Sequence, residues 1–421
     1  MRYISIKQSL KPYIFISIAG LFLLLEMSLQ VSVSVITPEL MNDMSITAAG
    51  VGVISSFFFY SYTFMQIPSG LLFDSISTKK IISLGLLLCT LGTLFFALTN
   101  SLPVACIGRL LIGFGSSFAF VAILYIASQW FEDKYFALLA GLAMIIASLG
   151  AMGGQLPLSL IVQAVGWRPA LIILAAIGGI LTLTAYLIIE DKEHKPPFKK
   201  ESLYLLRNNL LILLKNKQTW MIALFAFAIW SPITAFASLW GVPFIQTAYN
   251  TNIDTAAFAC SLIWIGVAIG SPLLGWWSER IHSRIIPCII GSFVGVISSI
   301  IIIYFPVPIP LLCILLILFG MAAGGQAVSF AMVKDCTGRS LIGTGVGVIN
   351  MAVVASGLIF QPIIGFILKL NNDSFMRHNN HINCTNCYTI NDYHIALILI
   401  PVIFLISLVV CFLIKETYKR N

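Results

Sequence analysis

Charge is scarce in this chain. Asp, Glu, Lys and Arg make up 10% of its 421 residues, where a soluble globular domain carries about a quarter. Hydrophobic residues supply 59% instead, so most of the chain is expected to face lipid rather than water. The basic residues form short clusters between apolar runs and no continuous basic face. The net charge of +8 therefore does not point to nucleic acid. A G-x-x-x-x-G-K-[ST] phosphate loop is also absent, which argues against direct drive by ATP. The apolar runs hold no clustered nucleophile, base or metal set of the kind an enzyme needs, so neither catalysis nor a cofactor is expected.

What the chain does have is length of hydrophobic run. A helix needs about 20 apolar residues to cross a hydrocarbon core, and twelve such runs are present. The first six are Tyr13 to Ile36, Gly50 to Phe73, Ile81 to Leu98, Leu102 to Ala127, Phe136 to Ala164 and Pro169 to Ile189. The second six are Trp220 to Ile245, Ala256 to Trp277, Ile285 to Phe305, Pro310 to Val333, Leu341 to Leu368 and Ile395 to Ile414. The first run is too long for a signal-peptide core and has no small-residue cleavage site, so it reads as a span. With the N-terminus placed inside, twenty of the 24 Lys and Arg residues fall inside, and only Arg168, Lys369 and Arg377 fall outside. By the positive-inside rule both termini are then expected in the cytoplasm of an inner-membrane protein. The polar stretch Glu190 to Lys217, with Pro196 and Pro197, divides the chain into a bundle over 1–189, a cytoplasmic linker over 190–217 and a second bundle over 218–421. Within the linker, Ser202 to Leu214 can form a helix at the membrane surface.

The halves carry an internal repeat. Gly70-Leu71-Leu72-Phe73-Asp74 followed by Lys79-Lys80 lies between spans two and three. Gly275-Trp276-Trp277-Ser278-Glu279-Arg280 followed by Arg284 lies between spans eight and nine. Each segment offers a glycine for close helix approach, an acid near the helix end, and cations beyond it. The acid can pair with a base or cap a neighbouring helix, which makes the segment a candidate gating latch. These residues resemble the major facilitator superfamily, whose hallmark is a G-x-L-x-D-x-x-G-R-K-type loop in both halves; Ser77 here takes the place of a usual glycine. Arg109-Leu110-Leu111-Ile112-Gly113-Phe114-Gly115 is similar to the family's R-x-x-x-G-x-G signature, and Gly166-Trp167-Arg168 looks like its usual entry to helix six. The resemblance implies an all-α membrane fold of twelve transmembrane helices in two six-helix pseudo-symmetric bundles. The bundles would expose a midplane site to each side in turn. In the fifth span Gly141, Gly150 and Gly154 have the spacing of the superfamily's antiporter signature, with Gln155 in place of its proline.

Only Glu26 and Arg109 carry full charge inside the spans, and such residues are functional candidates by default because burying them in lipid costs several kcal/mol. At about 1.5 Å per residue both stand about 20 Å above the cytoplasmic ends of their helices. Two readings are open: a buried ion pair tying helix one to helix four, or a coupling device in which Glu26 exchanges a proton while Arg109 draws an anionic group. Neutral candidates for a cavity are Tyr60, Tyr62, Gln66, Tyr125 and Gln155 in the first half, with Trp230, Gln326, Asn350 and Gln361 in the second. Six cysteines sit in apolar runs as small hydrophobes. Cys384 and Cys387 instead share a polar loop with His378 and His381, where a disulfide, a zinc site or no special role are all open. The expected function is secondary transport of a small polar or anionic metabolite such as an organic acid, sugar phosphate, amino acid or peptide. Protons would be the coupling ion, and the protein a monomer in contact with membrane lipid. Proton-driven efflux of drugs or siderophores, and a transporter-like membrane sensor, are the alternatives.

Overall fold

The computed structural model describes residues 3–191, 200–337, 341–379 and 388–418. Among the described residues twelve helical stretches are long and apolar enough to cross a membrane. They are Leu10–Val31, Ala48–Ser75, Thr78–Leu98, Leu102–Trp130, Leu138–Val165, Trp167–Ile188, Lys217–Tyr249, Ile253–Arg280, Ile285–Tyr304, Ile309–Cys336, Ile342–Asn372 and Ile390–Leu413. An even number of spans puts both described ends on one face, here the terminal face; the other is the far face. Side chains such as Leu187 and Phe412 are at least 70% exposed, as expected where lipid rather than water surrounds the helices. The sixth span is only 22% buried and the seventh 83% buried, so the sixth is peripheral and the seventh central.

Several spans are broken, and two of the breaks recur at equivalent places in the two halves, whereas span five breaks near Gly154 and span twelve near Ile398 without a counterpart. The first span ends its regular helix at Val31 and resumes as Val33–Asp43, beyond the Ile36 that hydropathy suggests. The seventh, its repeat partner, passes after Pro232 into a π-helix, Ile233–Trp240. Spans four and ten break at Ser117 and Gly324. Pro232 in span seven and the small pairs Ser116-Ser117 and Gly324-Gly325 in spans four and ten mark three of these breaks, and backbone groups freed in lipid must find partners inside the protein.

The same symmetry governs close packing. A Cβ on Gly113 of span four would collide with the carbonyl of Phe58 in span two. One on Gly320 of span ten would collide with the carbonyl of Ile263 in span eight. Helix crossings this tight admit only glycine.

Between the bundles, span two lies along span eleven, and span eight lies against span five. Their far-face halves are tightly joined: a Cβ on Gly52 would stand 2.6 Å from the Gln361 carbonyl, and one on Gly357 2.6 Å from the Phe59 ring. Residues 31–37 and 231–245 are buried without exception. Toward the terminal face the packing ends, since a Cβ at Gly70, Gly141, Gly275 or Gly343 would meet no atom within 4 Å. The close helix approach expected at Gly70 and Gly275 is therefore not made in this state. The bundles meet at the far face and part at the terminal face.

Candidate functional site

Glu26 sits in mid-helix, between Leu25 and Met27, with no exposed surface. Neither of its carboxyl oxygens has a hydrogen-bond partner. The Tyr62 hydroxyl of span two stands beside it and interacts with it, without completing a hydrogen bond. The Cys89 thiol of span three is near enough to feel its charge, and donates to the Ile112 carbonyl at 3.5 Å. The Ser28 hydroxyl donates to the Gly150 carbonyl of span five at 2.7 Å, which fixes the rotation of the first helix and turns Glu26 into the first bundle. An unpaired carboxylate at this depth costs several kcal/mol, so the site calls for a proton or a cation.

Arg109 does not supply that cation. Its guanidinium is fully buried but donates to the Leu29 carbonyl at 2.7 Å and the Gln30 carbonyl at 3.3 Å, leaving Nε without a partner. These are among the last carbonyls before the break in the first helix, where its dipole is negative, and the Ser32 hydroxyl also donates to the Leu29 carbonyl at 2.9 Å. Arg109 thus caps a helix break, packed over the rings of Phe58 and Phe96 at 5.0 and 6.0 Å. Arg109, from span four, meets the first helix within about a turn of Glu26, yet the two form no ion pair, which corrects the pairing that the sequence suggests.

Of the neutral candidates, three join Glu26 in one polar path. Tyr62 interacts with Glu26 on one side and with Gln66 on the other. The Asn350 amide of span eleven donates to Gln66 Oε1 at 2.5 Å, crossing from one bundle to the other. Two more converge on the π-helix of span seven. Gln155 Nε2 donates to the Ala237 carbonyl and Gln361 Nε2 to the Thr234 carbonyl, each at 2.7 Å. Both glutamines are wholly buried and keep an unpartnered Oε1. The remaining candidates stand apart. Tyr125 packs on Phe73, Trp230 is half-buried against the apolar core, and Gln326 opens the helix after the span-ten break. Tyr60 is 50% exposed, beside Phe57 and on the same side of the helix as the 73%-exposed Phe64. Cys384 and Cys387 lie outside the described residues.

A family model for the Major Facilitator Superfamily matches residues 16–242 and 233–421. The chain belongs to this superfamily. It is 21% identical over 386 residues to the hexuronate transporter of Bacillus subtilis, covering 86% of this chain and 88% of the relative. To the probable sulfoacetate transporter SauU of Cupriavidus necator it is 22% identical over 374 residues, covering 81% and 83%. With the uncharacterized transporter YybO of Bacillus subtilis it shares 23% over 271 residues, 60% of this chain and 62% of that relative's length. In fold it is similar to a bacterial homolog of the human lysosomal transporter Spinster, crystallised inward-facing and unoccupied. That likeness has a TM-score of 0.79, at 16% identity over 97% of both chains.

Around the superfamily's loop motif, ion pairs and helix caps join the spans at the terminal face. In the second half Arg284 is the hub: it donates to Glu279 at 2.7 Å, to Asp335 at 2.9 Å and to Ser278 at 3.1 Å. Its own backbone N–H is bound by Glu416, which lies beyond span twelve and caps the start of span nine. In the first half Asp191, beyond span six, accepts from the Thr78 N–H at 2.7 Å and caps span three. The two caps are related by the repeat, and neither acid belongs to the motif; the matching positions just past spans six and twelve were the available signal. Lys79 lies over the Tyr186 ring at 4.5 Å, Arg280 lies over Trp276, and Lys80 is exposed. Asp74 is exposed at the end of span two.

Burial alone would raise the pKa of Glu416, but hydrogen bonds from Ser283, Tyr418, Arg284 and Ile285 outweigh it and hold the value below the usual carboxylate range. A lowered folded value means that its contribution to stability is present above the unfolded pKa, about 4.3, and is lost as pH falls through the folded value. Glu416→Ala is expected to cost about 1 kcal/mol near neutral pH, the usual loss for a helix cap. The difference from wild type should shrink on acidification, as followed by thermal unfolding in detergent. A pH-independent difference would show that the charge is not what caps span nine.

Proposed function

We propose that the chain is a proton-coupled carrier of a small anionic metabolite of the sugar-acid or organic-acid class, working by alternating exposure of a site between its two bundles. The observation that carries this reading is Glu26, a wholly buried carboxyl with no partner for either oxygen. Such a group is tolerated where it exchanges a proton during the cycle. The relatives named for hexuronate and for sulfoacetate support an anionic solute. The distribution of Lys and Arg supports a cytoplasmic terminal face in an inner membrane. The bundles would then be open to the cytoplasm as they stand here.

The test is flux with the purified full chain in proteoliposomes. Labelled D-glucuronate, D-glucarate and sulfoacetate are offered beside neutral glucose and cationic ethidium, with and without an imposed proton gradient. At least one acid is expected to accumulate against its gradient only when protons flow with it. Transport of ethidium or glucose with none of the acids would overturn the solute class, and binding of an acid without flux would favour a sensor.

A further inference from the structure

We propose that the Gln66–Asn350 hydrogen bond is the clasp through which the charge on Glu26 is passed to the second bundle. The inference rests on the reading of Glu26 as the coupling acid and assigns Tyr62, Gln66 and Asn350 as positioning residues that act through it.

The first argument is location. Spans two and eleven touch along their far-face halves, and a Cβ on Gly347 would still meet the Gln66 carbonyl and Ile67 at 3.9 Å. One turn on, Gly70 and Gly343 have nothing within 4 Å. Gln66 and Asn350 therefore join the bundles where contact gives way to separation, which is where a hydrogen bond has most leverage on their tilt.

The second argument is chemistry. Tyr62, from span two, and Cys89, from span three, are the titratable groups near Glu26, and the Cys89 thiol is spent on the Ile112 carbonyl. Span four brings Arg109, already bound to the Leu29 and Gln30 carbonyls. Spans five and six meet the first helix here through Gly150 against Leu24 and Gly178 against Leu25, which carry no titratable group. A carboxylate only accepts, so an ionised Glu26 takes the Tyr62 O–H as donor. The Tyr62 hydroxyl oxygen is then free to accept from Gln66 Nε2, which as it stands donates to the Tyr62 backbone carbonyl at 3.4 Å, and Gln66 Oε1 is left for Asn350, which donates to it at 2.5 Å. A protonated Glu26 donates to the Tyr62 oxygen instead. Tyr62 then donates to Gln66 Oε1, which is drawn off the Asn350 amide, and the clasp loosens. No proton leaves Glu26 along this path; only the direction of the hydrogen bonds reverses.

The test uses spin labels at Lys80→Cys and Lys334→Cys, exposed positions on the terminal face of each bundle. The background chain has Cys336, Cys384 and Cys387 changed to serine, and is held in lipid nanodiscs at acid and at alkaline pH. In the otherwise wild-type chain the ratio of wide to narrow distance populations should change about fivefold with pH, the scale of one interhelical hydrogen bond. Glu26→Gln should abolish the change. Gln66→Leu and Asn350→Leu should each abolish it with Glu26 intact, and the exchange Gln66→Asn with Asn350→Gln should restore it. A wild-type response in Gln66→Leu or Asn350→Leu overturns the clasp and leaves Glu26 as the coupling acid. Failure of the exchange variant to respond, when both leucine variants are silent, overturns it too. No response in the wild-type background, or an unchanged response in Glu26→Gln, overturns the reading of Glu26 on which the clasp depends.

Discussion

Glu26→Gln is expected to stop concentrative transport while leaving exchange intact. With one proton per solute, a gradient of one pH unit supports about a tenfold accumulation. The variant should fall to a ratio of about one while still exchanging labelled for unlabelled D-glucuronate. The physical reason is that the glutamine keeps the shape of the acid but cannot take up or release a proton. Neither oxygen of Glu26 is held by a partner, so the substitution removes no formed hydrogen bond and folding should survive. Uptake by wild type should rise as the outer compartment is acidified, and uptake by the variant should stay flat across the same range. Undiminished tenfold accumulation by the variant would remove Glu26 from the coupling mechanism.

Arg109→Ala should be the most damaging single change to stability among the intramembrane polar residues discussed. It removes the donor to the Gln30 carbonyl, leaves the Leu29 carbonyl to the Ser32 hydroxyl alone, and empties the space over Phe58. Two charge-assisted bonds in a dry interior argue for a large loss, but interhelical hydrogen bonds in membranes average well under their expected strength. The expected cost is therefore about 2 kcal/mol, read as a lowered unfolding temperature. Arg109→Lys should recover only about half, because one ammonium is a point donor and cannot span two carbonyls as the guanidinium fork does. A lysine variant that melts like wild type would show that charge alone is required. If Arg109→Ala folded normally and lost only transport, its role would lie with the solute rather than with the first helix.

Composition and run length carried most of the fold. Twelve spans follow from the length of helix that lipid demands, because a backbone in hydrocarbon has no alternative to satisfying itself. The burial of Glu26 and Arg109 was equally legible, since charge inside a span is rare and conspicuous. Run length missed the extension of the first helix to Asp43 and the π-helix over Ile233–Trp240, because hydropathy sums composition and is blind to how the backbone is wound.

Partner choice is where the sequence by itself stopped. Rarity made Glu26 and Arg109 look like a pair, yet Arg109 turns to carbonyls exposed by the break after Val31, and only tertiary packing made that break. Tyr60 and Tyr62 differ by two positions, which on a helix of 3.6 residues per turn is about 200°; one is half exposed and the other stands beside Glu26. The caps by Asp191 and Glu416 join residues 113 and 132 positions apart, a separation no local pattern encodes. The chain's chemistry set which groups must be buried and satisfied, and the docking of helix on helix decided which group satisfies which, because distance in a bundle is set by crossing geometry and not by order along the chain.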